Sequence, residues 1–215
     1  MTKALSNSAR FITVEGSEGA GKSTNLQIIC DALEARGVDY YCTREPGGTD
    51  LAEEIRELVL RQRDEEVDGV AELLMMFAAR RQHITQVIQP KLDAGCWVIC
   101  DRFTDATVAY QGFGRGLNLD WIDALKGWVQ QGLEPDLTFY FDIPPDVGAA
   151  RIADREQDRM EQERRDFFEN VRAGYLHLAE SHSRIRIVDA SQSLEKVGED
   201  VTQLFTAYLD TELTS

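Results

Sequence analysis

Between the apolar run FITVE (11–15) and a helically periodic stretch from Ser23 to Arg36, the chain reads Gly16-Ser17-Glu18-Gly19-Ala20-Gly21-Lys22-Ser23-Thr24. Gly16 to Ser23 satisfies G-x-x-x-x-G-K-[ST] with a strand before it and a helix after it, the context that makes the pattern a phosphate-binding loop. Its glycines let the backbone curl so that successive N–H groups point inward at phosphates. Lys22 adds a point charge at the β and γ groups, the Ser23 hydroxyl is suited to ligate Mg²⁺, and the helix N-terminus contributes its positive end. A nucleoside triphosphate is implied, and the loop is silent about what receives the phosphoryl group. Glu18 is unexpected there, because a carboxylate beside a polyphosphate is repulsive. It either points outward into solvent or faces a hydroxyl on the other substrate.

The rest of the chain alternates in the same way. YYCTRE (40–45) reads as a second strand, and LAEEIRELVLRQ after PGGT as an amphipathic helix with Asp50 as its cap. A long helix is expected from about Ala71 to Asp93, ending at Gly95. CWVICDR (96–102) is the most apolar strand and is expected at the centre of the sheet. The segment 117–131 is helical in pattern, and LTFYFDI (137–143) and RIRIVDA (184–190) complete five strands, with helices before and after the last. Such alternation predicts an α/β fold: a five-stranded parallel sheet with helices on both faces and ligands at the carboxyl ends of the strands.

At 215 residues the chain fits one domain over 1–215, with 1–10 as an N-terminal extension. Its 38 acidic and 23 basic residues leave a net charge of −15, which disfavours non-specific binding to nucleic acid or an anionic membrane. An anionic substrate would need a local basic cluster. MTKALSNSAR is no signal peptide, and no later run approaches a membrane span. Cys30, Cys42, Cys96 and Cys100 lack zinc-type pairing and read as buried free thiols of a cytoplasmic protein.

A GTPase would show N-K-x-D, which is absent. Instead TREPGGT (43–49), DRF (101–103), AYQGFGRG (109–116) and DREQDRMEQE (154–163) follow the loop in order. Together these resemble the bacterial thymidylate kinase family, from Phe11 to about Leu209. The resemblance implies a P-loop nucleoside-monophosphate-kinase fold, transfer from ATP to dTMP with Mg²⁺, and a homodimer. Gly16 to Thr24 would then bind ATP.

Asp101 and Arg102 close a strand. Unless they are a plain surface ion pair, the carboxylate suits Mg²⁺, directly or through water, and the guanidinium suits the acceptor phosphate. By resemblance Arg102 is joined on that phosphate by Arg44 or Arg56, of which Arg56 matches better. Glu45 is placed at Mg²⁺ or its waters, and its bond to Pro46 is open to a cis form. Phe77 and Arg80 share a helix face. The family stacks an aromatic on thymine here and donates from an arginine to O4; Phe77 is favoured, with Met76 adding contact, and core packing is the alternative for Phe77. Gln111 matches the residue that pairs with thymine N3 and O4, Thr107 lies near the base, Asp105 and Tyr110 are further candidates, with Tyr110 near the sugar, and Glu18 meets the 3′-hydroxyl.

The segment at about 151–163 carries Arg151, Arg155 and Arg159 and reads as a lid. Phosphoryl transfer needs positioning and neutralisation of charge rather than a strong base, and a monophosphate is already ionised. Lys22, Asp101, Arg102 and Arg155 are the expected catalytic groups, with Arg151 second to Arg155 as the lid cation. The lid is one residue shorter than in close relatives, and Arg159 is read as structural, paired with Asp158 or Glu163. His83, His177 and His182 are read as helix surface or core. Two rivals remain: another nucleotide or deoxynucleoside kinase on this scaffold, and a P-loop protein that binds ATP without turnover.

Overall fold

The computed structural model describes residues 9–154 and 157–213. In chain order the elements are β1 (Phe11–Glu15), α1 (Lys22–Glu34), β2 (Tyr40–Arg44), α2 (Asp50–Leu60) and α3 (Gly69–His83). A π turn (Ile84–Ile88) leads into α4 (Gln89–Asp93), followed by β3 (Trp97–Asp101), α5 (Thr104–Thr107), a second π stretch (Val108–Gly114) and α6 (Leu119–Gln130). β4 (Leu137–Asp142), α7 (Pro145–Arg151), α8 (Arg165–Ser181), β5 (Ile185–Asp189) and α9 (Leu194–Glu212) complete the chain.

The five strands form one parallel sheet in the order β2-β3-β1-β4-β5, as the alternation predicted. The central strand is β1 rather than β3. Every residue of β1 is buried, and β3 and β4 are buried except at their last residue, so apolar content marks an interior strand without ranking the three. Side chains alternate across the sheet. Ile12, Val14, Phe139 and Phe141 meet Ile29 and Leu33 of α1 and Val201 and Phe205 of α9 on one face. On the other face Phe11, Val98 and Cys100 meet Ile84 and Ile88, while Tyr140 meets Val171 and Tyr175 of α8.

Helix starts explain two differences from expectation. α2 is capped by Thr49, whose backbone is extended and whose Oγ1 accepts from the Ala52 N–H at 3.2 Å; Asp50 is the first helical residue. α3 begins at Gly69 because Asp68 accepts from the N–H groups of Val70 and Ala71. The cysteines are free, but Cys42 is exposed on the edge strand β2 and Cys96 is half-buried, so only Cys30 and Cys100 are buried.

Register brings the motifs together. Arg44 and Val14 both pair with Asp101, so β2, β1 and β3 end level. The phosphate loop, the Glu45–Pro46 turn and the Asp101–Phe103 turn therefore emerge side by side.

Candidate active site

At this edge lies a cavity of about 280 Å³, lined by residues from each of those turns together with Arg56, Met76, Arg80, Tyr110, Gln111 and, from the expected lid segment, Asp158, Met160 and Glu161. A broader open groove between α1 and α9 is lined by Leu194, Glu195, Glu199 and Asp210 among others and carries no basic side chain.

The loop curls as its glycines require. Gly19 has φ +78°, and a Cβ there would stand 2.5 Å from the Gly148 carbonyl oxygen of α7, so loop and helix touch backbone to backbone. Lys22 folds back, its Nζ donating to the carbonyls of Gly16 at 2.9 Å and Ser17 at 3.2 Å. Burial and the nearby Arg102 charge lower the Lys22 pKa.

Glu18 turns inward. It pairs with Arg102 and accepts from the Tyr110 hydroxyl at 3.2 Å. Burial would raise its pKa, but Arg102 and Lys22 outweigh burial and hold it at about 2. The solvated alternative for Glu18 is thereby set aside. Arg102 also donates to the Gly16 carbonyl at 3.1 Å and lies over the Tyr110 ring. Burial opposes its charge, yet Glu18, Tyr110, Tyr175 and Asp101 hold its pKa well above the usual value.

The backbone of Arg102 has φ +71°, a left-handed conformation that costs a side-chain-bearing residue about 1–2 kcal/mol. It is held from both sides: Arg102 N–H donates to the Val14 carbonyl at 2.9 Å, and Phe103 N–H donates to Glu15 Oε1 at 2.7 Å. Glu15 ends β1 with no exposure and also accepts from the Tyr175 hydroxyl at 2.9 Å. Sequence reasoning missed Glu15; a charged residue closing a mostly apolar strand was the available signal.

Arg44 and Arg56 reach the same cavity. Arg44 pairs with Glu53 at 2.8 Å, whereas Arg56 donates to the Pro46 carbonyl at 2.9 Å and has no ion pair among the described residues. Burial first, then Arg44 and Arg102, lower the Arg56 pKa, the signature of cations gathered without enough anion.

Several predicted roles change. Glu45 lines the cavity, but one oxygen accepts from Arg80 Nε at 2.7 Å and the other lies 3.0 Å from His83 Nδ1. Its carboxylate is committed to holding Arg80 rather than free for a metal, and its bond to Pro46 is cis. Thr107 has no exposure and accepts from Arg80 Nη2 at 2.9 Å, so it too holds Arg80 instead of lining the cavity. Phe77 points into a cluster with Leu73 and Ile122 and supports the Arg80 guanidinium 4.9 Å from its ring centre; Met76 lines the cavity in its place. The helical phase puts 73 and 77 on one face, toward α6. Asp105 is tied to Arg184 at 2.7 Å, away from the cavity. His83, read as surface or core, is a buried partner of Glu45 and of Thr43.

Arg159 is structural, but its carboxylate is Glu72 rather than Asp158 or Glu163, and its Nε donates to the Val59 carbonyl at 2.8 Å. Glu163 pairs with Arg115 at 2.6 Å. Arg151 donates to the carbonyls of Gly19 at 3.1 Å and Ala190 at 2.9 Å, bracing the phosphate loop from outside. Arg155 lies outside the described residues.

Three cavity residues keep a buried polar atom without a hydrogen-bond partner among the described residues: Asp101 Oδ1, Arg80 Nη1 and Gln111 Oε1. Such groups are costly unless a ligand uses them. Asp101 supplies a hard oxygen suited to Mg²⁺, and Ser23 is the second residue of α1, just after Lys22. No cluster of three or more His, Cys, Asp or Glu forms a metal cage among the described residues. Mg²⁺ bound through one or two carboxylates plus substrate phosphates needs none.

The family model for thymidylate kinase matches residues 14–201. The chain belongs to the thymidylate kinase family. Among its relatives in that family, the thymidylate kinase of Ectopseudomonas mendocina (strain ymp) is 54% identical over 202 residues, 93% of this chain and 96% of that protein. The thymidylate kinase of Teredinibacter turnerae is 53% identical over 93% of this chain and 98% of that protein. That of Chromohalobacter salexigens is 52% identical over 93% and 96%. The family match spans the phosphate loop, the cavity-lining residues and the segment 151–163.

Proposed function

We infer that the protein transfers the γ-phosphoryl group of ATP to dTMP, giving dTDP and ADP. The observation that carries this reading is one cavity lined by Lys22 of the phosphate loop, by Arg56 and Arg102, and by Arg80 and Gln111. The cations suit an acceptor phosphate, and the unpartnered Arg80 Nη1 and Gln111 Oε1 suit thymine, which offers an acceptor at O4 and a donor at N3.

The chain's own groups account for the chemistry. Arg56 and Arg102 bind the dTMP phosphate and aim one of its oxygens along the line of the leaving ADP oxygen. That oxygen is already ionised, so no side chain has to remove a proton. Lys22 and the loop N–H groups spread the γ-phosphoryl charge as its bond to ADP breaks and the bond to dTMP forms. Asp101 and Ser23 would hold Mg²⁺, which when bound adds charge neutralisation across the phosphates. Glu18 faces the sugar's 3′-hydroxyl, and Tyr110 beside it crowds the place of a 2′-hydroxyl. Arg155 is assigned the lid cation on its sequence position alone. The lid residues Asp158, Met160 and Glu161 already border the cavity, where further closure would exclude water.

Steady-state rates with dTMP, dUMP, dCMP and thymidine test the reading. ADP release that saturates with dTMP, prefers it clearly and stops when a chelator removes Mg²⁺ is the expected result. A preference for another acceptor, or no ADP release, defeats it.

A homodimer is proposed on family grounds and on exposed apolar residues of two adjoining helices: Val70 and Leu74 on α3, Trp121 and Trp128 on α6. No helix among the described residues is long and apolar enough to cross a membrane.

A further inference from the structure

Glu72 lies in the first turn of α3 with no exposure, and three side chains from elsewhere in the chain converge on its carboxylate. Gln111 donates from Nε2 to Oε1 at 2.9 Å. Arg115 reaches Oε1 through Nε and Oε2 through Nη2, each at 3.3 Å, and Arg159 of the lid donates to Oε2. Burial would raise the Glu72 pKa, but Arg159, Gln111 and Arg115 hold it below the usual value.

An ionised carboxylate accepts and never donates. Gln111 can therefore turn only its NH₂ toward Glu72, which commits Oε1 to the opposite side. That oxygen is buried and unpartnered, on a residue that lines the cavity.

We propose that Glu72 is a positioning residue that sets base specificity: by fixing the Gln111 amide it presents an acceptor to a pyrimidine N3–H, beside the donor at Arg80. The proposal rests on the dTMP reading above. A 4-oxo pyrimidine satisfies both groups. A 4-amino pyrimidine brings a lone pair to Gln111 Oε1 and an amino group to Arg80, so both pairs fail. Uracil has the same edge as thymine, and Glu72 does not distinguish those two. The carboxylate that orients the base reader also holds Arg159, so lid and base recognition share one anchor.

The test compares kcat/KM for dTMP, dUMP and dCMP in the wild type, Glu72→Gln and Glu72→Asp, with thermal melting of each. In Glu72→Gln the two arginines take the remaining oxygen, the new NH₂ faces Gln111, and the Gln111 amide reverses. The dTMP-over-dCMP ratio is expected to fall at least about tenfold, with the dTMP-over-dUMP ratio unchanged. Equal losses on all three substrates would mean packing alone and would overturn the proposal. Glu72→Asp keeps a carboxylate for the arginines but withdraws it from Gln111, so the same ratio falls by a smaller factor. If the glutamine variant does not fold, an unchanged ratio in a folded aspartate variant decides against the proposal. In the wild type the Gln111 side-chain amide protons, assigned by comparison with Gln111→Leu, exchange slowly before dTMP is added. Fast exchange overturns the assignment whatever the variants do. Failure of the wild type to phosphorylate dTMP at all would instead sink the underlying reading.

Discussion

Glu15 and Glu18 bracket the start of the phosphate loop and are driven to opposite ends of the carboxyl range. Burial, helped by the Asp105 charge, raises Glu15 to about 8 against the bonds from Phe103 N–H and Tyr175. Glu18 is held at about 2 because Arg102 and Lys22 overcome its burial. The signs for stability are opposite. Between the ordinary carboxyl value of 4.5 and about 8, the unfolded chain has lost the Glu15 proton while the folded protein keeps it, so rising pH favours unfolding across that window. Glu18 contributes stability that is present above 4.5 and lost as pH falls toward about 2. Glu15→Gln should therefore flatten the decline in stability from pH 5 to pH 8, a slope of at most about 1.4 kcal/mol per pH unit, in urea unfolding at a series of pH values. An unchanged slope would separate Glu15 from that decline. The places of Lys22, Arg102 and Gln111 on the cavity were legible because each lies in a motif that follows a strand. Phe77, Thr107 and Glu45 were not, because the same residue type serves the ligand or the residue behind it, and only helical phase and turn geometry decide. The Glu72 anchor for Arg159 is 87 residues away in the chain, beyond any local pattern.

The elements were legible where one physical signal dominated. Short β-rich runs gave all five strands, and loop glycines and periodicity gave most helices. The π turns at Ile84–Ile88 and Val108–Gly114 leave no signature in composition, yet the second carries Tyr110 and Gln111 to the cavity. α7 was also missed, although Pro145 in its first turn is a start signal. Its importance lies in Gly148, where a Cβ would sit 2.8 Å from the Glu18 carbonyl oxygen. Gly148→Ala has to push the phosphate loop away from α7. The expected loss in kcat/KM for dTMP is roughly ten- to a hundredfold, with overpacking costing about 1–3 kcal/mol in thermal unfolding. Wild-type kinetics in a folded Gly148→Ala protein would show that the contact does not position the loop.

At the scale of the whole molecule, a net charge of −15 surrounds a cavity on which Lys22, Arg44, Arg56 and Arg102 converge. Composition alone pointed away from polyanions and was blind to the cluster, because Arg44, Arg56 and Arg102 come from three separate segments. The same scale holds the assembly proposal. Trp121 and Trp128 are 52% and 77% exposed and seven residues apart, so they share one face of α6. Trp128→Glu should leave the melting of the isolated chain nearly unchanged and convert a dimer to monomer in sedimentation equilibrium at micromolar concentration. A wild type that sediments as a monomer removes the dimer proposal. Arg102 is already paired with Glu18. The guanidinium meant for the incoming phosphate already has an anionic companion of its own, so on the proposed reading substrate capture is an exchange of partners. As the phosphate takes Arg102, the released carboxylate is handed to the sugar's 3′-hydroxyl, and a single swap checks both ends of the deoxyribose at once.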